Sequence, residues 1–160
     1  MNVPLNFTEN PTDVLEIVFN DIHANQMHEL PFVNKKLKVK AVGFSLYESD
    51  WLGVLLTPWT LSIILIPGPN RVWQSRTVGD KIGIRLPSGD YSFTYGAHEQ
   101  LGNYLASSIM SPLQDMKNQA VAVQLAKDLR QLITAIPTEE VHVPDPSRRS
   151  LFGLRNKATA

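Results

Sequence analysis

The chain contains no cysteine. That absence excludes a disulfide framework, a thiolate-ligated zinc or iron–sulfur site and a thiol nucleophile. An excess of either charge is also missing: 15 Lys and Arg balance 15 Asp and Glu. A nucleic-acid binder needs a basic surplus to meet phosphate, and a polybasic membrane-surface protein needs one to meet anionic lipid, so neither class fits. No apolar run approaches the ~20 residues of a membrane-spanning helix. The start, Met1-Asn2-Val3-Pro4-Leu5, lacks the basic region and apolar core of a secretory leader, and the expected location is the cytoplasm.

Sequence signatures of catalysis are scarce as well. Gly-x-Ser-x-Gly does not occur, and Gly79-Asp80-Lys81-Ile82-Gly83 lacks the spacing of a phosphate loop. The carboxylates are scattered, and Glu139-Glu140 read as solvated. His23 and His28 are five apart, which on an α-helix puts them on different sides; a two-histidine zinc motif needs i and i+4. No catalytic residue, metal site or cofactor is expected.

The most informative stretch is Thr60-Leu61-Ser62-Ile63-Ile64-Leu65-Ile66, opened by Thr57-Pro58-Trp59 and closed by Pro67-Gly68-Pro69. Ile63 to Ile66 has no polar position to turn toward water, which predicts a strand covered on both faces at the centre of a sheet. Proline donates nothing to a ladder, so Pro58 and Pro67 bound the strand.

Elements on either side complete an α+β pattern. Asn10-Pro11-Thr12-Asp13 reads as a helix start, and Val14, Leu15, Val18 and Ile22 follow as an apolar stripe. Strands are predicted over Leu37–Lys40, Val42–Leu46 and Trp51–Leu56, the last two joined by a turn around Glu48-Ser49-Asp50. Residues 81 to 96 read as a hairpin about Pro87-Ser88-Gly89-Asp90, and Tyr104–Met110 as a further strand. A second helix is predicted from Asn118 to Ile136, with Leu125, Leu129, Leu132 and Ile136 as its stripe and Ala122 and Ile133 beside it. The expected fold is one domain over residues 1–137, a mainly antiparallel β-sheet with an N-terminal and a C-terminal helix packed on it, followed by a flexible tail over 138–160.

The aromatics suggest a binding surface. Trp59 and Trp73 flank proline turns, and tryptophan and arginine are the residues that interfaces favour. Trp59, Pro67, Gly68, Pro69, Arg71 and Trp73 are therefore the candidate partner-binding residues, the tryptophans as anchors of an apolar groove and Arg71 as a contact to acidic or carbonyl groups.

Thr57-Pro58-Trp59-x-Leu61-Ser62, Pro67-Gly68-Pro69, Trp73, Leu86-Pro87-x-Gly89 and Ser107-x-Ile109-Met110-Ser111-Pro112-Leu113 occur in this order and at these gaps in the HybE family, which the chain resembles. The resemblance runs from about the first helix to Arg148-Arg149-Ser150-Leu151-Phe152-Gly153. Two departures stand out. The family often has a cysteine near Ala106-Ser107, and Gly-Glu where this chain reads Gly96-Ala97-His98-Glu99. The resemblance implies a cytoplasmic, non-catalytic accessory chaperone for assembly of a nickel-iron hydrogenase. Its partners would be the large-subunit precursor, the small subunit with its twin-arginine signal peptide, or both, held before export. Ser147-Arg148-Arg149-Ser150-Leu151-Phe152 itself looks like a twin-arginine motif at the wrong end, which makes Arg148 and Arg149 candidate tail contacts to the same groove. The alternatives are a small-ligand carrier and a hydrolase with a spatially assembled site.

Overall fold

A computed structural model describes residues 7–135. The order is α1 (Thr12–Ile22), a π-helical turn (His23–Met27), β1 (Lys40–Tyr47), β2 (Asp50–Leu56), β3 (Leu61–Ile66), β4 (Lys81–Leu86), β5 (Gly89–His98), β6 (Gly102–Met110) and α2 (Gln119–Ile133). The six strands form one sheet in the order β1-β2-β3-β6-β5-β4, with every neighbouring pair antiparallel. The fold is thus α+β with an antiparallel sheet. The expected tail, Ile136 and Pro137 lie outside the described residues.

The apolar run between the prolines is β3, third in the order, and all six of its residues are buried. Two separate cores explain why. Leu61, Ile63 and Leu65 join Leu52, Val54, Leu56, Phe93 and the α2 residues Ala122, Ala126, Leu129 and Ile133 on one face. Ile64 and Ile66 join Trp51, Leu55 and the α1 residues Leu15 and Val18 on the other. The two helices therefore lie on opposite faces, and β3 needs apolar side chains in both directions. Each fully buried Leu or Ile side chain is worth about 1.5–3 kcal/mol, so this strand anchors both layers.

Both sheet margins reach α2. Arg130 Nε donates to Gly43 O at 2.8 Å and Nη2 to Ser45 Oγ at 2.9 Å, binding β1. Burial of Arg130 pulls its pKa below the ordinary arginine value. At the other margin, Ser88 Oγ, between β4 and β5, donates to Ile133 O at 3.1 Å. First and last strands of the order thus meet the final turns of one helix, so the sheet curls around α2. A bulge between Val42 and Ser45, where Gly43 holds φ 70°, supplies curvature at β1.

Two sequence expectations require correction. The inner stripe of α2 is Ala122, Ala126, Leu129 and Ile133, whereas Leu132 is 58% exposed and Leu125 only partly buried. Ala126 is fully buried despite its small side chain, and a stripe read from the largest side chains is rotated away from it. Leu37 to Val39 precedes β1 rather than forming a strand, although Leu37 and Val39 are buried. Gln119 of α2 instead holds the backbone of Lys38, accepting from its N–H at 2.8 Å and donating to its carbonyl at 3.2 Å.

Candidate functional site

The sequence-predicted residues fall at two opposite ends of β3. Trp59 stands just before the strand. Pro67, Gly68, Pro69, Arg71 and Trp73 stand after it. An extended six-residue strand is about 20 Å long, so the two tryptophans do not share one groove.

At the later end, Asp50 organises the chain. Its carboxylate accepts from Gly68 N at 3.1 Å, Arg71 Nε at 3.0 Å and Nη2 at 3.3 Å, and Trp73 Nε1 at 3.2 Å. Hydrogen bonding and Coulombic attraction from Asp50 raise the Arg71 pKa above its ordinary value. The Arg71 side chain is 45% exposed and that of Asp50 14%. Trp73 also packs against the α2-side core. Gly68 is required here: a Cβ at this position would run into the Ser49 carbonyl oxygen. Ser49 and Glu48, both with positive φ, turn β1 into β2 directly beside it. Arg71 and Trp73 thus fasten the segment after β3 to the start of β2, and between them Val72 is 91% exposed.

At the earlier end, Thr57 to Thr60 is a tight turn closing the β2–β3 hairpin, in which Thr57 N donates to Thr60 O at 2.9 Å and Thr57 Oγ1 accepts from Thr60 N at 3.1 Å. Two segments are stapled to this turn, the loop that carries Asn34 and the stretch from Ser108 to Met116. Asn34, 8% exposed, donates its backbone N–H to Pro58 O at 2.8 Å and its side-chain amide to Leu113 O at 2.8 Å and Met116 O at 3.1 Å. Ser111 Oγ donates to Trp59 O at 3.2 Å, and Thr60 Oγ1 meets Ser108 Oγ at 2.8 Å. The Ser111–Pro112 peptide bond is cis. Thr57-Pro58-Trp59 and Ser107 to Leu113, two blocks of the family pattern, are thereby brought into contact.

The Trp59 ring is supported from below by α1 and its extension. His23 stacks on it with centroids 6.0 Å apart and planes 23° from parallel. His28 meets His23 edge-on at 6.4 Å. The expectation that these histidines diverge is corrected by the π-helical turn, whose His28 N–H bonds to His23 O at 2.9 Å. A π-turn has about 4.4 residues, so i and i+5 return to one side, and such turns recur at functional sites. Among the described residues, no group of three or more His, Cys, Asp or Glu is placed to hold a metal ion.

Around this turn lie apolar side chains that water reaches: Leu30 (36%), Phe32 (39%), Ile109 (40%) and Met110 (39%). Pro31 and Gln114 are joined by a 2.7 Å hydrogen bond, which ties the Leu30–Phe32 loop to the segment after β6. Sequence reasoning missed Leu30, Phe32, His23 and Asn34 as site residues. Ile109-Met110 carried no clear signal either, since adjacent apolar residues on one strand can both be buried where both faces are covered, as in β3. For the histidines there was none, because nothing in Ala24-Asn25-Gln26 announces a π-turn.

The chain is a member of a family of hydrogenase assembly chaperones. Residues 10–154 match the family described as NiFe-hydrogenase assembly, chaperone, HybE. The chain is 35% identical over 155 residues to the Hydrogenase-2 operon protein HybE of Escherichia coli K12, covering 96% of each. It is 35% identical over 131 residues to the hydrogenase expression/formation protein HoxT of Azotobacter vinelandii, covering 81% of this chain and 82% of that one. The protein named “Probable rubredoxin HupJ” of Rhodobacter capsulatus is 37% identical over 109 residues, 68% of this chain but 39% of HupJ. The solution structure of Escherichia coli HybE superposes with a TM-score of 0.70 at 32% identity, covering 99% of both chains.

Proposed function

We propose that this protein is a non-catalytic, cytoplasmic chaperone that holds an unassembled nickel-iron hydrogenase subunit: the large-subunit precursor, the small subunit with its twin-arginine signal peptide, or both, before export. Family membership supports the hydrogenase as client. The observation that carries the binding mode is the Trp59 end of β3. Its ring is propped by His23 and its backbone is stapled by Asn34 and Ser111, so the aromatic face is held in place without client. Pre-ordering removes part of the entropic cost of binding, and a central aromatic with apolar neighbours is the pattern of an interface hot spot.

Trp59 is therefore the principal anchor, with Leu30, Phe32, Ile109 and Met110 around it. Pro69, Arg71 and Trp73 form a second, separate contact surface, shaped from beneath by buried Pro67 and Gly68, in which Arg71 presents a guanidinium already oriented by Asp50. A chaperone must release its client, so a micromolar constant, worth about 8 kcal/mol, suits the task better than a nanomolar one.

The test is affinity capture from hydrogenase-expressing cells grown without oxygen, read by mass spectrometry. The reading expects a hydrogenase subunit precursor, with at least tenfold less recovered by Trp59→Ala at unchanged thermal stability. Capture of neither subunit, under conditions where both are made, contradicts it.

A further inference from the structure

The sheet has two margins, and they are finished differently. At β1 the outward backbone groups are taken by side chains: Ala41 N–H donates to Glu16 Oε2 at 2.9 Å, Gly43 O accepts from Arg130, and Phe44 O accepts from Asn10 Nδ2 at 2.8 Å. At β4 the direction of the backbone groups is set by Asp80, whose carbonyl accepts from Tyr95 N–H at 2.9 Å. Alternation along an antiparallel strand then turns Ile82, Ile84 and Leu86 toward β5 as well, and leaves the N–H and C=O of Lys81, Gly83 and Arg85 facing outward. Among the described residues no hydrogen bond reaches these outward groups. The edge is six residues long, without proline or bulge, and is a template for another strand.

The side chains of β4 decide which strand fits. Ile82 and Ile84 are half-buried and pack against the α2-side core, so one face asks for apolar partners. On the other face Lys81 and Arg85 are exposed on either side of Gly83. Arg85 engages Asp90 through Nε and Nη2, which leaves Nη1 for a second carboxylate. Lys81 Nζ donates to the Thr94 hydroxyl at 2.8 Å and, among the described residues, meets no carboxylate. Between the two cations, a Cβ built on Gly83 would meet nothing within 4 Å. The three residues therefore frame a notch with cationic ends, and a large ring on an added strand covers a glycine placed in this way. A second copy of the chain fits poorly. The antiparallel register that uses all three outward residues sets Lys81 against Arg85 of the copy, and like charges directly opposite destabilise a pair of strands.

We propose that β4 receives, as a seventh and antiparallel strand, an extended segment of a partner protein with the pattern acidic, apolar, aromatic, apolar, acidic. The acidic residues lie opposite Lys81 and Arg85, the apolar ones opposite Ile82 and Ile84, and the aromatic ring lies across Gly83. Main-chain hydrogen bonds to the three outward residues supply affinity, and the alternating side chains supply selectivity. β4 is the last strand in the sheet order, whereas Trp59 precedes β3, so this surface is separate from the Trp59 end and does not depend on which client binds there.

Titrating the isotope-labelled full-length chain with the blocked peptide Glu-Val-Tyr-Val-Glu, read by amide chemical shifts and hydrogen exchange, tests this. The amides of Lys81, Gly83 and Arg85 shift saturably and their exchange slows, while those of β3 stay unmoved. Lys-Val-Tyr-Val-Lys binds about tenfold more weakly, because both cross-strand charge pairs change sign. The same Glu peptide, N-methylated at the three residues that face the edge, does not bind. In full-length K81Q/R85Q, with β3 shifts as in the wild type, the preference for the Glu over the Lys peptide is lost. The proposal is overturned if the Glu peptide gives no saturable shift at the outward amides, if the Lys peptide binds the wild type equally well, or if the preference survives in K81Q/R85Q. Outward amides already protected before peptide is added also overturn it. If that protection falls on dilution, a second copy occupies the edge; if it does not, another part of the chain does.

Discussion

Asp50 shows how much a single residue carries here. It receives N–H groups from Gly68, Arg71 and Trp73, three positions of the family pattern's middle block or its margin. Replacing it with alanine removes a partly buried acceptor and strands the Trp73 indole N–H. Charged hydrogen bonds of this kind contribute about 1.5–3 kcal/mol, so Asp50→Ala is expected to lower unfolding stability by about 2 kcal/mol in urea titration, with a shift in tryptophan emission as Trp73 loosens. Stability within 0.5 kcal/mol of wild type would show that the segment is held by other means. Asp50 was not legible in the sequence as this hub. It sits among Glu48 and Ser49 in what reads as an ordinary polar turn, and its partners are about 20 residues away. Asn34, which ties its own loop and the Leu113–Met116 segment to the turn at Trp59, was invisible for the same reason: a polar residue's burial depends on contacts distant in the chain.

At the scale of elements, hydrophobic patterning located the helices and strands because periodicity is a local property. β3 was read from its unbroken apolar run, and the β4–β5 hairpin from alternation about Pro87-Ser88. The facing of α2 was misjudged, since patterning by size favoured Leu132 over Ala126. The corrected face makes a sharp contrast. Ile133→Ala is expected to destabilise by about 2–4 kcal/mol through cavity formation, whereas Leu132→Ala, on the exposed side, should stay within about 0.5 kcal/mol. Chemical denaturation of the pair checks this, and equal losses would reject the facing. The π-helical turn is the one element that local pattern does not encode. It arises where α1 runs past the sheet and His23 meets Trp59, a tertiary contact.

For the whole molecule, the curled sheet carries its two helices on opposite faces, and the candidate contact residues stand at the ends of β3. The body of the sheet is committed to two cores, and at β1 the side chains of both helices close the margin. The resemblance in the sequence reached the family, and comparison with known proteins bears it out over most of the chain. What it did not reach was geometry. Trp59 and Trp73 are close in sequence but are held at opposite ends of the strand between them. The proposed reading makes Trp59 the principal anchor: its ring rests on His23, whereas the Trp73 indole bonds to Asp50 and packs on the core.

Mapping the chemical shifts of the isotope-labelled protein during titration with a purified hydrogenase subunit precursor tests this most directly. The account predicts perturbations concentrated on the Trp59 indole N–H and on residues 28–34, 57–60 and 108–113, with smaller ones around Arg71. Perturbations confined to residues 67–73, with the Trp59 indole unmoved at saturation, would contradict it.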